Sequence, residues 1–374
     1  MSAGLPPEAW AAHLAGLPGV TPARLRQLLA VGPPEEVAAR LTRGDRGLAP
    51  SRTAAGTDPL AVLASWQAVA GADAAARTWE RCVHLGVRVV VQGWPGYPDV
   101  LSADHAAPAV LFARGDPGVL AGRRCAVVGT RNPTQSGREM AALLGAGLAR
   151  HGVRVVSGLA RGVDGVAHRA ALADGGAPPV GVVASGLDVV YPREHAALWE
   201  EVAGRGLLLS EVPPGTPPEA HRFPLRNRVL AALSEAVVVV ESRATGGSLL
   251  TAREALDRGI DVLAVPGSPR NPAAAGTNEL VRDGARVVLG PDDVLVALGF
   301  TRPADPPARG ERRPRPAPAD AAVLALFEGE VLDVDTVARC TGRPLGDVLS
   351  SLGRLVHQGW LRRSGGWFEA VGAP

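Results

Sequence analysis

Seven short runs of apolar residues alternate with helical stretches between residues 123 and 290, and this alternation predicts an α/β fold. Strands that are apolar along their whole length are typical of a parallel sheet covered by helices on both faces. We therefore predict a Rossmann-like, doubly wound, mainly parallel sheet, with a small helical domain before it and a winged helix after it. The predicted strands are Cys125–Val128, Val153–Ser157, Val180–Ala184, Leu207–Glu211, Val237–Glu241, Val262–Val265 and Arg286–Leu289.

Composition and charge exclude several classes of function. The 374 residues are 46% hydrophobic and 20% charged, which is enough for one large core or two smaller ones. The formal net charge is only +2, so a nucleic-acid site requires a local concentration of positive charge. All 39 basic residues are arginine, and the absence of lysine excludes a Walker-type ATPase and lysine Schiff-base chemistry.

The three cysteines, Cys82, Cys125 and Cys340, lie far apart and form no C-x-x-C pair. This spacing predicts neither a disulfide framework nor a zinc site, and we expect reduced, mostly buried thiols. The longest apolar runs have the length of strands and are too short to span a bilayer. We therefore expect a cytoplasmic protein with no membrane contact, no metal and no cofactor.

Changes in composition predict four segments along the chain. Residues 1–85 form a helical domain, with helices at Glu8–Leu17, Thr21–Leu29, Glu35–Leu41 and Pro59–Gly71. Residues 86–300 form the sheet domain, which begins with a strand at Val87–Val91 and an irregular stretch. Residues 301–319 are rich in proline and arginine and read as a linker, and residues 320–374 form the winged helix.

The corner LPGVTPARLRQLL, with a turn at Pro18-Gly19 and with Thr21 and Pro22 at a helix start, is similar to a helix-hairpin-helix. Backbone N–H groups in such a corner can hold a DNA phosphate. An ordinary helical corner that packs on its neighbours is the alternative.

Two glycine-bearing turns follow the first two predicted strands of the sheet domain. Gly129, Thr130 and Arg131 precede a capping box at Ser136–Glu139, which predicts an anion site at a helix start. A plain tight turn is the alternative. After the second strand, Ser157-Gly158 stands where a ribose-binding acid would be, so a nicotinamide cofactor is not expected. Arg161 lies in this loop. Asp164 and His168 are four residues apart and share a helical face. We expect Asp164 to cap the helix and His168 to be solvated or packed, and the alternative is a metal or catalytic pair.

Positive charge concentrates in the segment HRFPLRNR. Arg222, Arg226 and Arg228 can grip phosphates, while Phe223 stacks on a base and Asn227 donates hydrogen bonds. The alternative for the segment is a solvated basic loop that opens a helix. The alternative for Phe223 is a side chain that anchors this loop in the core. Another helix begins after the fifth predicted strand, with Gly246, Gly247, Ser248 and Thr251 at its start. These residues predict a second anion-binding turn. The alternative is that the glycines serve only the packing of the helix on the strand.

The motifs GTR, SGLARGVDGVAH, GLDVVYP, FPLRNR, ATGGSLLTA and GTNELVRDGA together resemble the DNA-processing protein A family (DprA, also called Smf) over roughly residues 90–290. The resemblance implies a recombination mediator that binds single-stranded DNA, loads RecA recombinase onto it, acts as a homodimer and serves DNA uptake or recombination. It implies no catalysis. The expected DNA-binding residues are Gly129, Thr130, Arg131, Ser157, Gly158, Arg161, Arg222, Phe223, Arg226, Asn227, Arg228, Gly246, Gly247, Ser248 and Thr251.

An enzyme is the competing interpretation, because the fold is similar to that of phosphoribohydrolases with a P-G-G-x-G-T-x-x-E motif. Gly246-Gly247-Ser248 matches this motif only loosely, and Glu254 falls at a different spacing. Glu211 and Glu241 end two strands and can form a carboxylate pair, although salt bridges to arginine are the commoner use of such acids.

The predicted winged helix has helices at Ala321–Phe327, Val334–Thr341 and Leu345–Gln358, and a wing over residues 360–370. It carries 5 arginines and 7 acids, so it repels phosphates weakly. We predict an interaction or regulatory module that adds little to DNA affinity, with a local patch at Arg362-Arg363 as the alternative.

Overall fold

A computed structural model describes residues 4–50, 58–173, 175–301, 314–327 and 330–371. It divides the chain into two compact units, Met1–Arg302 and Pro303–Pro374. Most of the predicted linker, residues 302–313, lies outside the described residues. None of the helices within the described ranges is long and apolar enough to cross a membrane.

The first unit is built on a nine-stranded sheet with the order β1-β2-β6-β5-β4-β3-β7-β8-β9. The seven strands from β6 to β9 in this order run parallel, whereas β2 is antiparallel to both β1 and β6. The predicted doubly wound, mainly parallel sheet is confirmed. The strands are β1 (Arg88–Val91), β2 (Val110–Gly115), β3 (Arg124–Val128), β4 (Arg154–Ser157), β5 (Val180–Val183), β6 (Leu207–Ser210), β7 (Ala236–Val239), β8 (Asp261–Ala264) and β9 (Arg286–Val287).

Strand β2 corrects the prediction of an irregular stretch before the main sheet. Its first four residues are buried, and its register places Phe112 opposite both Val89 and Ser210. Pro108 and Asp116-Pro117 bracket this short run, and such residues favour turns when they are read locally. Only pairing with β1 and β6 makes the segment a strand.

Helices cover both faces of the sheet and precede it. Thr21 accepts a hydrogen bond from the Arg24 N–H and Pro22 is the first helical residue of α2, as predicted. The helix after β3 begins differently from the prediction, because Thr134 rather than Ser136 is its N-cap. Helix α5 was not predicted. The helices are α1 (Pro7–Ala15), α2 (Pro22–Leu29), α3 (Pro34–Thr42), α4 (Pro59–Gln67), α5 (Ala72–His84), α6 (Asp99–Ser102), α7 (Gln135–Arg150), α8 (Val163–Ala173), α9 (Ala196–Arg205), α10 (Arg222–Ala232), α11 (Ser248–Leu256), α12 (Ala275–Arg282) and α13 (Pro291–Ala297).

The N-terminal helices share one hydrophobic core with the sheet. Leu14 of α1 and Trp66 of α4 belong to the same buried cluster as Phe112 of β2 and Trp199 of α9. The indole of Trp66 also donates a 2.8 Å hydrogen bond to the Pro18 carbonyl and fixes the helical corner. Residues 1–85 are thus part of the first compact unit, and their assignment as a domain of their own stays a prediction.

The second unit has a small core of its own. Phe327, Leu352 and Phe368 are buried in it, beneath a three-stranded sheet with the order β10-β12-β11. The predicted helices and wing hairpin are present, and β10 is an addition. The winged-helix assignment itself stays a prediction. The elements are α14 (Pro318–Leu324), β10 (Val331–Asp333), α15 (Val334–Thr341), α16 (Leu345–His357), β11 (Leu361–Ser364) and β12 (Trp367–Ala370).

We expect Leu14→Ala and Phe112→Ala to lower the free energy of unfolding of the same cooperative transition. Both side chains are fully buried in one cluster, so each truncation leaves a cavity that costs about 2–5 kcal/mol. Urea denaturation followed by tryptophan fluorescence measures the loss, and Val69→Ala at an exposed position is the control. If Leu14→Ala shifts a separate transition that Phe112→Ala leaves unchanged, residues 1–85 fold as an independent domain.

Candidate nucleic-acid interface

The chain reverses its direction of travel across the sheet at β3. From β3 the chain winds to β4, β5 and β6 on one side, and it returns to β7, β8 and β9 on the other side. The loops that follow β3 and β7 therefore diverge at the carboxyl ends of two adjacent parallel strands. Such a switch point is where doubly wound sheets open a crevice for ligands.

A cavity of about 370 Å³ lies at this switch point, and we call it the switch-point cavity. Four segments line it: the turn after β3, the start of α8, the first turns of α10, and the loop that leads into α11. Ten residues of the predicted site line the cavity. They are Gly129, Thr130, Arg131, Phe223, Arg226, Asn227, Gly246, Gly247, Ser248 and Thr251.

Glu241 ties the two diverging loops together. Its carboxylate accepts hydrogen bonds from the backbone N–H and the hydroxyl of Thr134, at 3.0 and 2.8 Å. The N–H of Thr130 donates to the Glu241 carbonyl at 2.8 Å. Because this acid is buried and its lone pairs are used by the turn, it fixes the shape of the cavity and is unsuited to acid–base work.

Arg226 is a buried cation in the wall of the cavity. Its side chain donates to the Val182 carbonyl, while its Nε is buried without a hydrogen-bond partner. Burial lowers its pKa to about 10, with the charge of Arg131 acting in the same direction and Asp164 opposing it. The side chain therefore brings a largely buried positive charge to the wall of the cavity, and such a charge attracts an anion.

Gly158 makes room for this arginine. A Cβ at position 158 would overlap the Arg226 guanidinium, so no other residue fits without displacing it. The Gly158 N–H donates to the Asp164 carboxylate at 3.0 Å. Burial raises the pKa of Asp164, against the charge of Arg226 and the hydrogen bond from the Gly158 N–H. The predicted cap role of Asp164 is wrong in detail, since it lies inside the first turn of α8 and holds the preceding loop.

An aromatic and cationic platform stands beside the buried arginine. The guanidinium of Arg131 lies 5.1 Å from the ring centroid of Phe223. The ring of Tyr191 lies 5.5 Å from Phe223 at an interplanar angle of 56°. Phe223 is half-buried and Tyr191 is 41% exposed, so the platform presents aromatic surface to solvent.

The loop before α11 supplies the facing wall. Ser248, the first residue of α11, donates a 3.0 Å hydrogen bond to the Ser242 hydroxyl. Arg243 lines the cavity and is exposed, and it is not among the site residues predicted from the sequence. The sequence contains a pattern that predicts Arg243 as a site residue, because Arg243 follows β7 as Arg131 follows β3. Tyr191 was missed because it lies far from the arginine segment in the chain.

Five predicted site residues do not line the switch-point cavity: Gly158, which packs behind Arg226, and four others. The Ser157 hydroxyl is buried and donates to the Val127 carbonyl, and Arg161 pairs with Glu194 at 2.5 Å. Arg222 pairs with Glu219 at 3.2 Å. Arg228 is buried against Glu211 and the Ala106 carbonyl, so it stabilises the fold instead of facing the cavity.

The alternative of a metal or catalytic pair at Asp164 and His168 gains no support. His168 is completely buried, and burial lowers its pKa to about 4, so the imidazole is neutral at physiological pH. Among the described residues, no cluster of three or more histidine, cysteine or acidic side chains is arranged to hold a metal ion.

The model of one protein family, DNA recombination-mediator protein A, matches residues 88–299. The chain belongs to this family. It is 41% identical over 214 residues to the DNA processing protein DprA of Bacillus subtilis strain 168, covering 57% of this chain and 72% of that protein. Membership confirms the family resemblance that the motifs predicted and gives the chain a role in DNA recombination.

Solved structures of the family share the fold. The crystal structure of DNA processing protein A from Streptococcus pneumoniae superposes with a TM-score of 0.65 and 28% identity, over 79% of this chain and 98% of that chain. The Helicobacter pylori protein, whose structure is described as showing a single-stranded DNA binding mode, superposes with a TM-score of 0.52 and 28% identity, over 57% and 96%.

We expect Gly158→Ala to lower the free energy of unfolding by about 1–3 kcal/mol, because its new methyl group collides with the Arg226 guanidinium. Gly204→Ala is the matched control, since position 204 lies in α9 with open space around it. There alanine should stabilise the helix by up to about 1 kcal/mol. Thermal melting of both variants measures the contrast, and equal effects would show that Gly158 is not a packing requirement.

Proposed function

We propose that the chain binds single-stranded DNA through its sugar-phosphate backbone at the switch-point cavity, with little choice of sequence. The observation that carries this proposal is the charge of the cavity wall, where Arg131, Arg226 and Arg243 face a single acid, Asp164. The chain as a whole is nearly neutral, so this excess of positive charge is local. Guanidinium groups are suited to phosphate because they donate several hydrogen bonds in one plane.

The platform favours a single strand over a duplex. Bases of single-stranded DNA are free to stack on aromatic side chains, and Phe223 and Tyr191 offer such a surface next to the arginines. A duplex keeps its bases stacked on one another. The description of the Helicobacter pylori relative as a single-stranded DNA binder supports the same assignment.

We propose a binding role without catalysis. The acids considered for an enzyme are each engaged elsewhere: Glu211 with Arg228, Glu241 with Thr134, and Glu254 with Arg258 at 2.6 Å. Among the described residues lining the cavity, the acid present is Asp164, which holds a loop. The phosphoribohydrolase alternative lacks an acid free to assist glycosidic cleavage there.

The remaining parts of the proposal follow from family membership. We infer that the bound strand is passed to RecA recombinase in the cytoplasm, in DNA uptake or recombination, and that the chain acts as a homodimer. A dimer places two cavities on one strand and raises the effective affinity through multivalency.

The second unit is proposed to add little to DNA affinity. Arg354, the arginine of α16, is held by both carboxylate oxygens of Asp320, at 2.8 and 2.7 Å. Arg362 lies 3.7 Å from Glu369 on the neighbouring strand. These pairs engage two of the five arginines of a segment that also carries seven acids, which supports an interaction or regulatory role.

We expect Arg131→Ala to weaken binding to single-stranded DNA and to flatten the dependence of log K on log salt concentration by about 0.7. One phosphate contact is lost in this variant, whereas Arg205→Ala, which breaks an exposed pair with Glu201, should leave the slope unchanged. Mobility-shift titrations on single- and double-stranded DNA at several salt concentrations measure both slopes. Parent-like binding of Arg131→Ala at every salt concentration would disprove the site.

We expect Phe223→Ala to weaken single-stranded DNA binding by about 1–3 kcal/mol through loss of base stacking. Because the ring is half-buried, its removal should change the melting temperature little. Fluorescence anisotropy with a labelled oligonucleotide gives the affinity, and calorimetry gives the melting temperature. A lower melting temperature at unchanged affinity would identify Phe223 as the core anchor of the arginine segment.

A further inference from the structure

A second cavity, of about 260 Å³, lies on the other side of the first turn of α10. One wall is the helical corner that precedes α2, and the other is formed by the carboxyl ends of β5 and β6. We call it the corner cavity. Its lining residues include Val20 and Leu25 from the corner, Val183 from β5, Glu211 after β6, and Leu225 from α10.

The two cavities meet at one arginine. Arg226 lines both of them, whereas Phe223 and Asn227 face only the switch-point cavity, and Leu225 faces only the corner cavity. The first turn of α10 is therefore a ridge with a cavity on each side. A phosphate held at Arg226 is flanked by one cavity on the side of Phe223 and by the other on the side of Leu225.

The size and chemistry of the corner cavity fit one flat ring system. Its volume lies just below the range of about 300–1,000 Å³ that is typical of sites for drug-sized ligands. Val20, Leu25 and Val183 give it apolar walls, against which a ring can pack. At its polar end, the side chain of Glu211 is 16% exposed and one of its oxygens is bonded to Arg228. Its second oxygen is an acceptor for an amino group.

We propose that the corner cavity receives one nucleobase of the bound single strand, next to the base on Phe223, with a preference for bases that carry an exocyclic amino group. This inference rests on the proposed function of the switch-point cavity. In this inference the helical corner contacts DNA through apolar side chains that hold a base, whereas a helix-hairpin-helix holds a phosphate through backbone N–H groups. Carboxylates accept hydrogen bonds from the amino group of cytosine, which thymine lacks.

The test uses short oligonucleotides in which all positions are abasic except one cytosine or two adjacent cytosines. With the full chain, the second cytosine should tighten binding about fivefold or more, because a base that gains an apolar or stacking contact adds substantially to affinity. A second thymine should add less. No gain from a second cytosine would overturn the proposal, and equal gains for thymine would remove the role given to Glu211.

Two variants fill the corner cavity from different elements, Val20→Trp from the helical corner and Leu225→Trp from α10, so that a folding defect in one leaves the other usable. Each should abolish the gain from the second cytosine and leave binding of the one-base strand unchanged. Val69→Trp, at an exposed position outside the cavity, is the matched control and should keep the full gain. Full gain in a folded Val20→Trp or Leu225→Trp protein would overturn the proposal.

Two further measurements distinguish this inference from the proposed function and from binding of a free nucleoside. Arg131→Ala should weaken the one-base and two-base strands by the same factor; if it weakens neither, the proposed function fails rather than the corner cavity. Free deoxycytidine at micromolar concentration should leave the gain intact. Loss of the gain under that competition would assign the cavity to a free nucleoside and would overturn binding of a base from the strand.

Discussion

The buried guanidinium of Arg226 is the group on which the arrangement of the candidate site depends. A cation is expensive to remove from water, and here the compensation is incomplete: one carbonyl accepts from it, and its Nε has no partner. Asp164 lowers the cost through its charge, but it is itself used by the loop after β4. In the proposed function, a phosphate bound at the switch-point cavity offsets part of the cost of burying Arg226.

Several residues together hold the Arg226 side chain in place. Gly158 gives it volume, and the helix α10 carries it to the carboxyl edge of the sheet. Leu159, the next residue, has a left-handed backbone with φ of 53°, and its carbonyl is held 2.9 Å from Nδ1 of His195. A non-glycine residue in this conformation persists only where its surroundings fix it. The loop around Gly158 is thus held in this conformation by contacts with the rest of the first unit.

The same principle applies to the opposite side of the cavity. Divergence of the chain at β3 and β7 would leave two unconnected loops, and Glu241 joins them through Thr134 and Thr130. A buried carboxylate that accepts from the N–H and the hydroxyl of Thr134 has a structural role in this turn. The site therefore offers preorganised positive charge and aromatic surface, which suits reversible binding of a polyanion, without a spare acid for chemistry.

The sequence by itself determined the alternation of strands and helices, the parallel sheet, and the turns at Gly129 and Gly246, because periodicity and helix-start residues are local properties. It placed Arg131 just after a strand, and Phe223 and Arg226 in the segment between two later strands, in a doubly wound fold that binds ligands at the carboxyl ends of its strands. Tertiary structure alone decided that Val110–Gly115 is a strand and that the N-terminal helices share the core of the sheet, because both depend on pairing between distant segments. It also decided which arginine of FPLRNR serves which purpose. Arg226 and Arg228 are two positions apart on one helix, so about 200° separates their directions, and one reaches the cavity wall while the other turns inward to Glu211.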